Sequence, residues 1–137
     1  MPGPVRTRTV EKHLYRNFLR KSEEFLDSAA HAQRQGNHDA CVSAAVHSAI
    51  CAVDALTAFY LQVRHAGERH GEALMLFRGV KLPGDETERI ERHFSAMLQT
   101  KRVAEYEDRL IGAAESESVM KHLQRLRSII LASLQAR

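Results

Sequence analysis

The chain of 137 residues has no tryptophan and few of the residues that interrupt regular structure. It contains seven glycines and three prolines, and two of the prolines, Pro2 and Pro4, lie among the first four residues. Folds made of many short strands need frequent glycine and proline turns, so this scarcity argues against them. The two cysteines are also too few for a disulfide framework. On one helix Cys41 and Cys51 would lie about 15 Å apart, farther than the roughly 7 Å that a disulfide spans.

No secretory leader is predicted, because MPGPVRTRTVEKH contains no apolar run. We therefore expect a cytoplasmic protein. Apolar residues make up 44% of the chain, enough for one folded domain, which we place at residues 10–137 after a flexible N-terminus at residues 1–9. The net charge is +3, and the segment up to Lys21 carries many bases against the single acid Glu11. Such a charge permits a polyanionic partner without requiring one.

Apolar residues recur at steps of three and four, which predicts an all-α protein. Long helices are expected over residues 10–35, 38–65 and 114–135. A fourth begins after an N-cap at Asp85, with Glu88 completing a capping box, and runs through residues 101–110. A short helix is expected over residues 72–78, and no segment predicts a strand. The fold class is therefore an up-and-down bundle of four long helices plus one short helix.

Segment 38–65 contains no glycine or proline and is apolar on nearly every face. Such a helix lies either at the centre of a bundle or in a membrane. The membrane alternative is disfavoured because His47 and Asp54 would be costly in the middle of a bilayer. The two residues are seven positions apart and so share one helix face. We expect them to be buried polar residues that pair with each other, with another helix or with a second copy; a place in a functional site or plain exposure are the alternatives.

Motifs for metal or cofactor chemistry are missing from the sequence. Despite eight histidines, there is no Glu-x-x-His, no His-Glu-x-x-His and no paired Cys-x-x-Cys. There is also no Gly-x-Ser-x-Gly turn and no glycine-rich phosphate loop. No metal and no cofactor are therefore predicted.

The order of helices and several polar positions resemble the HEPN superfamily of small helical bacterial proteins, in an actinobacterial-type form. The resemblance covers about residues 10–135. It is carried by FLRKSEEFLDSAAHAQRQGNHDACVSAAVHSAICAVDALTAFYLQVR, by GERHGEALMLF, by LQTKRVAEYEDRL and by the closing amphipathic helix. It implies a bundle of four to five helices that forms a homodimer about a two-fold axis.

The resemblance also implies two functional themes. One is metal-independent RNA cleavage by an Arg-x(4–6)-His motif at the dimer cleft, and the other is non-catalytic partnership with small nucleotidyltransferases in toxin–antitoxin systems. The positions that match the motif are Lys101 and Tyr106, so both differ from it. Tyrosine, with a free pKa of about 10, is a poor base at neutral pH, and lysine lacks the bidentate fork of arginine. An Arg-x5-His pair elsewhere, Arg64 and His70, supplies the candidate catalytic residues.

We therefore expect a non-catalytic or degenerate HEPN-like dimeric binding protein. Its ligand would be RNA, a nucleotide-related molecule or a partner protein such as a nucleotidyltransferase. Candidate binding residues lie in the polar stretch of the fourth helix: Lys101, Arg102, Tyr106 and Arg109. The alternatives are a metal-independent ribonuclease of toxin–antitoxin type, with Arg64 and His70 as its site, and a purely structural protein-interaction module.

Overall fold

The computed structural model describes residues 6–66 and 71–135. Over these residues the protein is a helical bundle with one two-stranded sheet, which confirms the predicted all-α fold class of four long helices and a short one. In chain order the elements are β1 (Thr7–Thr9), a 3-10 turn (Lys12–Leu14), α1 (Tyr15–Arg34), α2 (His38–Leu61), β2 (Val63–His65), α3 (Gly71–Phe77), α4 (Glu86–Tyr106) and α5 (Ala113–Gln135).

Helix α2 is the centre of the bundle and packs against α1, α3, α4 and α5. Alanines at positions such as Ala45, Ala49 and Ala52 are buried, and these small side chains let neighbouring helices approach closely. Among the described helices, α2 is the one that is long and apolar enough to cross a membrane. Its burial within the bundle accounts for that composition, so the prediction of a central core helix is confirmed.

The two ends of α2 are set by backbone conformation. Gly36, between α1 and α2, has φ +76°, a left-handed conformation that glycine adopts readily after a helix. Asn37 occupies the N-cap of α2 without a capping side-chain hydrogen bond. At the other end Gln62 also takes a left-handed φ of 55°, so α2 ends at Leu61 rather than continuing to residue 65 as predicted.

A short antiparallel ribbon follows from that left-handed turn. Thr7–Thr9 pairs with Val63–His65, with Arg8 opposite Arg64. Backbone hydrogen bonds from Val10 N to Gln62 O (3.0 Å) and from Ala66 N to Arg6 O (2.8 Å) close its two ends. The prediction that no strand would form is therefore wrong. Thr7–Thr9 also belongs to the segment predicted to be flexible, and the backbone of β2 orders it.

Helix α4 starts and ends differently from the prediction. Asp85 lies at its N-cap, but its side chain makes no capping hydrogen bond. The Thr87 hydroxyl instead accepts from Leu82 N and donates to Val80 O, both at 3.3 Å, and so fastens the preceding turn. The helix ends at Tyr106, and the segment up to Gly112 leads into α5. The predicted continuation through residue 110 is therefore wrong.

Candidate functional site

Asp54 is buried near the end of α2, with 3% of its surface exposed. Its Oδ1 lies 3.3 Å from Nδ1 of His65, which is also buried, and its Oδ2 lies 3.9 Å from Nε of Arg64. Both partners come from β2, so neither His47 nor another helix supplies them. The buried carboxylate thus meets two basic groups, as a buried charge requires.

One residue of the predicted catalytic pair, Arg64, belongs to this cluster. The Arg64 guanidinium lies 5.4 Å above the Phe18 ring, and its side chain is 30% exposed. Lys21 Nζ lies 5.9 Å from the same ring. His70 lies outside the described residues. The histidine beside Arg64 within the described chain is His65, which has one ring nitrogen engaged by Asp54 and little contact with solvent.

His47 does not share the environment of Asp54. Its Nδ1 lies 2.9 Å from the Ser43 carbonyl oxygen, one turn earlier on the same helix. Its ring lies 5.3 Å from that of Phe25, a side chain of α1 that is 37% exposed. His47 is therefore half-buried at the edge of the α1–α2 contact, and the expectation of a buried histidine is not met.

Two of the predicted binding residues, Lys101 in α4 and Arg109 after it, are each engaged in ion pairs. Lys101 has only 11% of its side chain exposed, and its Nζ lies 3.2 Å from Glu105 Oε1. Arg109 donates to both carboxylate oxygens of Glu115, at 2.8 and 2.9 Å, and to Glu107 at 3.2 Å. These carboxylates already neutralise Arg109, so it is poorly suited to hold a phosphate.

Arg102 and Tyr106 are the two predicted residues that the structure brings together. They line one open cavity of about 500 Å³, with Glu107 and Glu115 in the same wall. Both carboxylates already pair with Arg109, so the charges around this cavity nearly balance and give a polyanion little attraction.

A second cavity, of about 710 Å³, combines cations with aromatic rings. We call it the Lys12 groove; it is lined by Lys12, His13, Tyr15, Arg16 and Phe59. Lys12 Nζ lies 4.4 Å from the centre of the Phe59 ring, a cation–π contact. The Tyr15 ring meets Phe59 edge-on at 5.1 Å, and Phe59 meets Tyr60 edge-on at 5.0 Å. The groove thus presents a connected aromatic cluster with positive charge above it.

The remaining charges around the Lys12 groove are mostly positive. Arg16 Nε lies 3.4 Å from the Tyr15 hydroxyl, and that hydrogen bond raises the pKa of the guanidinium. His13 pairs with Glu11 at 3.3 Å. The sequence shows a basic segment before Lys21, and two of its residues, Lys12 and Arg16, line this groove. Sequence alone could not place Phe59, which reaches the groove from the far end of α2.

A third cavity lies between α4 and α5, at residues that no sequence motif singled out. We call it the His93–His122 cleft. It has a volume of about 390 Å³ and is lined by Asp85, Arg89, Arg92, His93, Ala96 and His122. The Nδ1 atoms of the two histidines are 2.9 Å apart.

The charges around the His93–His122 cleft act on its two rings. Partial burial lowers the pKa of His93, and the charges of His122, Arg125, Arg89 and Arg92 lower it further. Partial burial, followed by the charge of Arg125, also lowers the pKa of His122. Both imidazoles are consequently neutral at pH 7 when the cleft holds no anion.

No protein-family model, curated protein or solved structure matches this chain. The HEPN resemblance therefore stays a prediction from the sequence pattern, and we infer the function from the geometry of the three cavities and of the Asp54 cluster.

Proposed function

We propose that this protein binds single-stranded RNA in the cytoplasm without cleaving it, as a HEPN-like homodimer. The observation that carries the proposal is the position of Lys12 directly above Phe59 in an open groove that also contains Tyr15 and Arg16. Proteins that bind single strands combine aromatic platforms with positive charge along the backbone path. The Lys12 groove supplies both within a single cavity.

Each component of the groove has a role in this proposal. Bases stack on or beside Tyr15 and Phe59, an interaction worth about 1–3 kcal/mol per base. Lys12 and Arg16 neutralise phosphates, and Arg8, exposed on β1, adds positive charge at the same end of the chain. Every base can stack on an aromatic ring, and phosphate contacts do not depend on base identity. The proposed binding therefore has little sequence preference.

The absence of cleavage in this proposal rests on the described histidines nearest the groove and nearest Arg64; His70 lies outside the described residues. RNA hydrolysis without a metal needs a general base that reaches the 2′-hydroxyl and titrates near neutral pH. His65 is buried against Asp54, and the groove histidine His13 is exposed and paired with Glu11. At the motif-matching positions, Lys101 is paired with Glu105 and Tyr106 is 78% exposed. The ribonuclease alternative therefore has less support.

The homodimer is supported by apolar surface at the end of α4. Tyr106 and Leu110 are 78% and 81% exposed. A second copy that covers these side chains would remove them from water. Light scattering at micromolar concentrations tests this part of the proposal, and a Leu110→Glu variant that becomes monomeric would identify the interface.

The binding experiment uses a fluorescent, unstructured RNA of about twelve nucleotides in EDTA, with anisotropy measured over a range of salt concentrations. For single strands the slope of log affinity against log salt is about −0.7 for each phosphate neutralised. The double variant Lys12→Gln/Arg16→Gln should therefore bind more weakly, with a slope smaller by roughly 1.4. Phe59→Leu should weaken binding and leave the slope unchanged.

The control for the loss of charge at Arg16 is Arg20→Gln, which removes one positive charge one turn farther along α1, where Arg20 lies 3.6 Å from Glu24. It should bind RNA as the unaltered protein does. Equal losses in Arg20→Gln and in the Lys12 groove variants would contradict the proposed site. Loss of RNA during incubation would support the ribonuclease instead, and the absence of salt-sensitive binding would leave the protein-interaction module.

A further inference from the structure

The His93–His122 cleft concentrates positive charge that the rest of the described protein leaves unneutralised. Arg89 and Arg92 line it from α4, and Arg125 of α5 is close enough to act on both histidines. Across residues 6–66 and 71–135, none of these three arginines forms an ion pair. The carboxylate in the cleft wall is Asp85. Two arginines and two histidines therefore line the cleft with one acid, and a third arginine, Arg125, adds its charge to the histidines.

The histidine pair adds two hydrogen-bonding groups whose state depends on protons. A distance of 2.9 Å between Nδ1 atoms requires one ring to donate and the other to accept. Two fully protonated rings cannot keep this contact, because both Nδ1 atoms would then carry a hydrogen. With an anion in the cleft, both rings could instead be protonated and donate to its oxygens.

We propose that the His93–His122 cleft binds the dianion of a phosphate monoester, held by Arg89 and Arg92 and by the two histidines. Arginine binds phosphate oxygens through its planar fork, and charge-assisted hydrogen bonds are about twice as strong as neutral ones. A volume of about 390 Å³ accommodates a phosphate group with part of the molecule attached to it. This site is separate from the Lys12 groove, because different helices build it.

A metal ion is a poorer occupant of the same cleft. Within the described residues no group of three or more histidine, cysteine or acidic side chains is placed to hold a metal. The nearby arginines would also repel a cation. Zinc serves as the contrasting probe in the test below.

Binding of the dianion is coupled to proton uptake in this proposal. The groups that face the two rings are Asp85, Arg89 and Arg92 from the α4 side and Arg125 from α5. An anion among them offsets the repulsion from the arginines and so favours charged imidazoles. Affinity should therefore rise as the pH falls from about 8 to about 6.5, the range in which histidine titrates.

The experiment is calorimetric titration of the full chain with a nucleoside 5′-monophosphate and with inorganic phosphate, at about pH 6.5 and about pH 8. We expect binding that is tighter at the lower pH. Arg92→Gln should weaken it roughly tenfold, the effect of losing one charge-assisted contact. Arg34→Gln, at the C-terminal end of α1, is the charge-matched control and should leave it unchanged.

The histidines are tested by His93→Gln/His122→Gln, whose affinity should no longer rise at the lower pH and should follow only the protonation of the phosphate, whose second pKa is about 6. Thermal melts of each variant establish that it is folded. No heat with either phosphate, equal weakening by Arg34→Gln and Arg92→Gln, or tight binding of zinc in place of phosphate would each overturn the proposal.

The source of the monoester is distinguished by two RNAs that differ only in a 5′-phosphate or a 5′-hydroxyl. If Arg92→Gln weakens the 5′-phosphorylated RNA alone, the monoester is an RNA terminus. If it affects the free nucleotide and neither RNA, the monoester is a small molecule. The variant Lys12→Gln/Arg16→Gln should retain nucleotide binding. The proposal for the Lys12 groove and the proposal for the cleft can therefore be contradicted independently of each other.

Discussion

Ser22 of α1 and Ser48 of α2 exchange hydrogen bonds where the two helices cross. The Ser22 hydroxyl donates to the Ser48 carbonyl oxygen at 2.8 Å, and the Ser48 hydroxyl donates to the Ser22 carbonyl oxygen at 2.6 Å. Both serines are fully buried. Arg127 of α5 donates to Ser22 Oγ at 2.6 Å, and burial lowers the pKa of this arginine. One serine therefore links three helices.

Replacing Ser22 should cost more than replacing Ser48. Ser22→Ala removes the acceptor of a partly buried guanidinium, for which we expect a loss of about 1–3 kcal/mol in the free energy of unfolding. Ser48→Ala leaves the bond between Arg127 and Ser22 intact and should cost about 1 kcal/mol. Urea unfolding measures both, with the exposed Ser28→Ala as control. Equal stability of the two variants would show that Arg127 does not depend on Ser22.

Removing Asp54 should destabilise the junction between α2 and the ribbon. Asp54→Ala leaves buried His65 and half-buried Arg64 without their carboxylate, at a cost of about 1–3 kcal/mol. The exposed carboxylate Asp108 provides the control substitution, Asp108→Ala, which should leave the melting temperature unchanged. If the two variants melt alike, the Asp54 cluster contributes nothing to stability.

Gly36 and Gln62, two of the residues with a left-handed backbone, should respond to substitution in opposite directions. Gly36 has φ +76° and nothing lies within 4 Å of an added Cβ, so Gly36→Ala should lower the free energy of unfolding only through backbone strain, by about 1–2 kcal/mol. Gln62 already has this strain, so Gln62→Gly should raise the free energy of unfolding by up to about 1 kcal/mol. Chemical denaturation of both variants measures the two changes. Two changes of the same sign would contradict the account.

The sequence predicts those helices whose own composition indicates that they are buried. Helix α2 is apolar on all sides, and no partner needs to be known to place it in the core. The ribbon is different, because neither Thr7–Thr9 nor Val63–His65 alternates apolar and polar residues in a way that indicates a strand. Its formation depends on the left-handed turn at Gln62, an unusual conformation for glutamine that no local pattern announces.

The functional cavities depend on packing between distant segments, which limits what the sequence can predict. His93 and His122 meet only because α4 and α5 pack in one particular register. Phe59 joins Lys12 because the end of α2 returns to the start of α1. Arg109 looked available in sequence, but the bend before α5 brings Glu115 onto it. A charge count along the chain detects none of these pairings.

The histidine pair should make the folded protein sensitive to acid. The pKa values of His93 and His122 are lowered in the folded state, so below about pH 6.5 the unfolded chain binds more protons than the folded one. The contribution of the pair to stability is present above that pH and is lost as the pH falls through the lowered values. Melting temperatures from about pH 7.5 to 5 should fall less steeply in His93→Gln/His122→Gln. Parallel curves would exclude this source of acid sensitivity.

Cys51 should react slowly with thiol reagents in the folded protein. Burial, followed by the charge of Asp54, raises the pKa of the Cys51 thiol to about 11. At pH 8 roughly one molecule in a thousand then carries the reactive thiolate. In a Cys41→Ala variant, alkylation of Cys51 should be far slower in buffer than in urea. Equal rates in the two solutions would mean that the thiol is open to solvent.

The pairing of Thr7–Thr9 with Val63–His65 sets an order of events during synthesis. Chains grow from the N-terminus on the ribosome, so the strand made first waits for a partner that emerges only after both α1 and α2. Those two helices, joined at Gly36, can form their hairpin from local contacts in the meantime. The pairing of the two strands then joins the N-terminal end of α1 to the C-terminal end of α2. The ribbon therefore forms on a finished hairpin, and Thr7–Thr9, though made early, is among the last segments to reach its place.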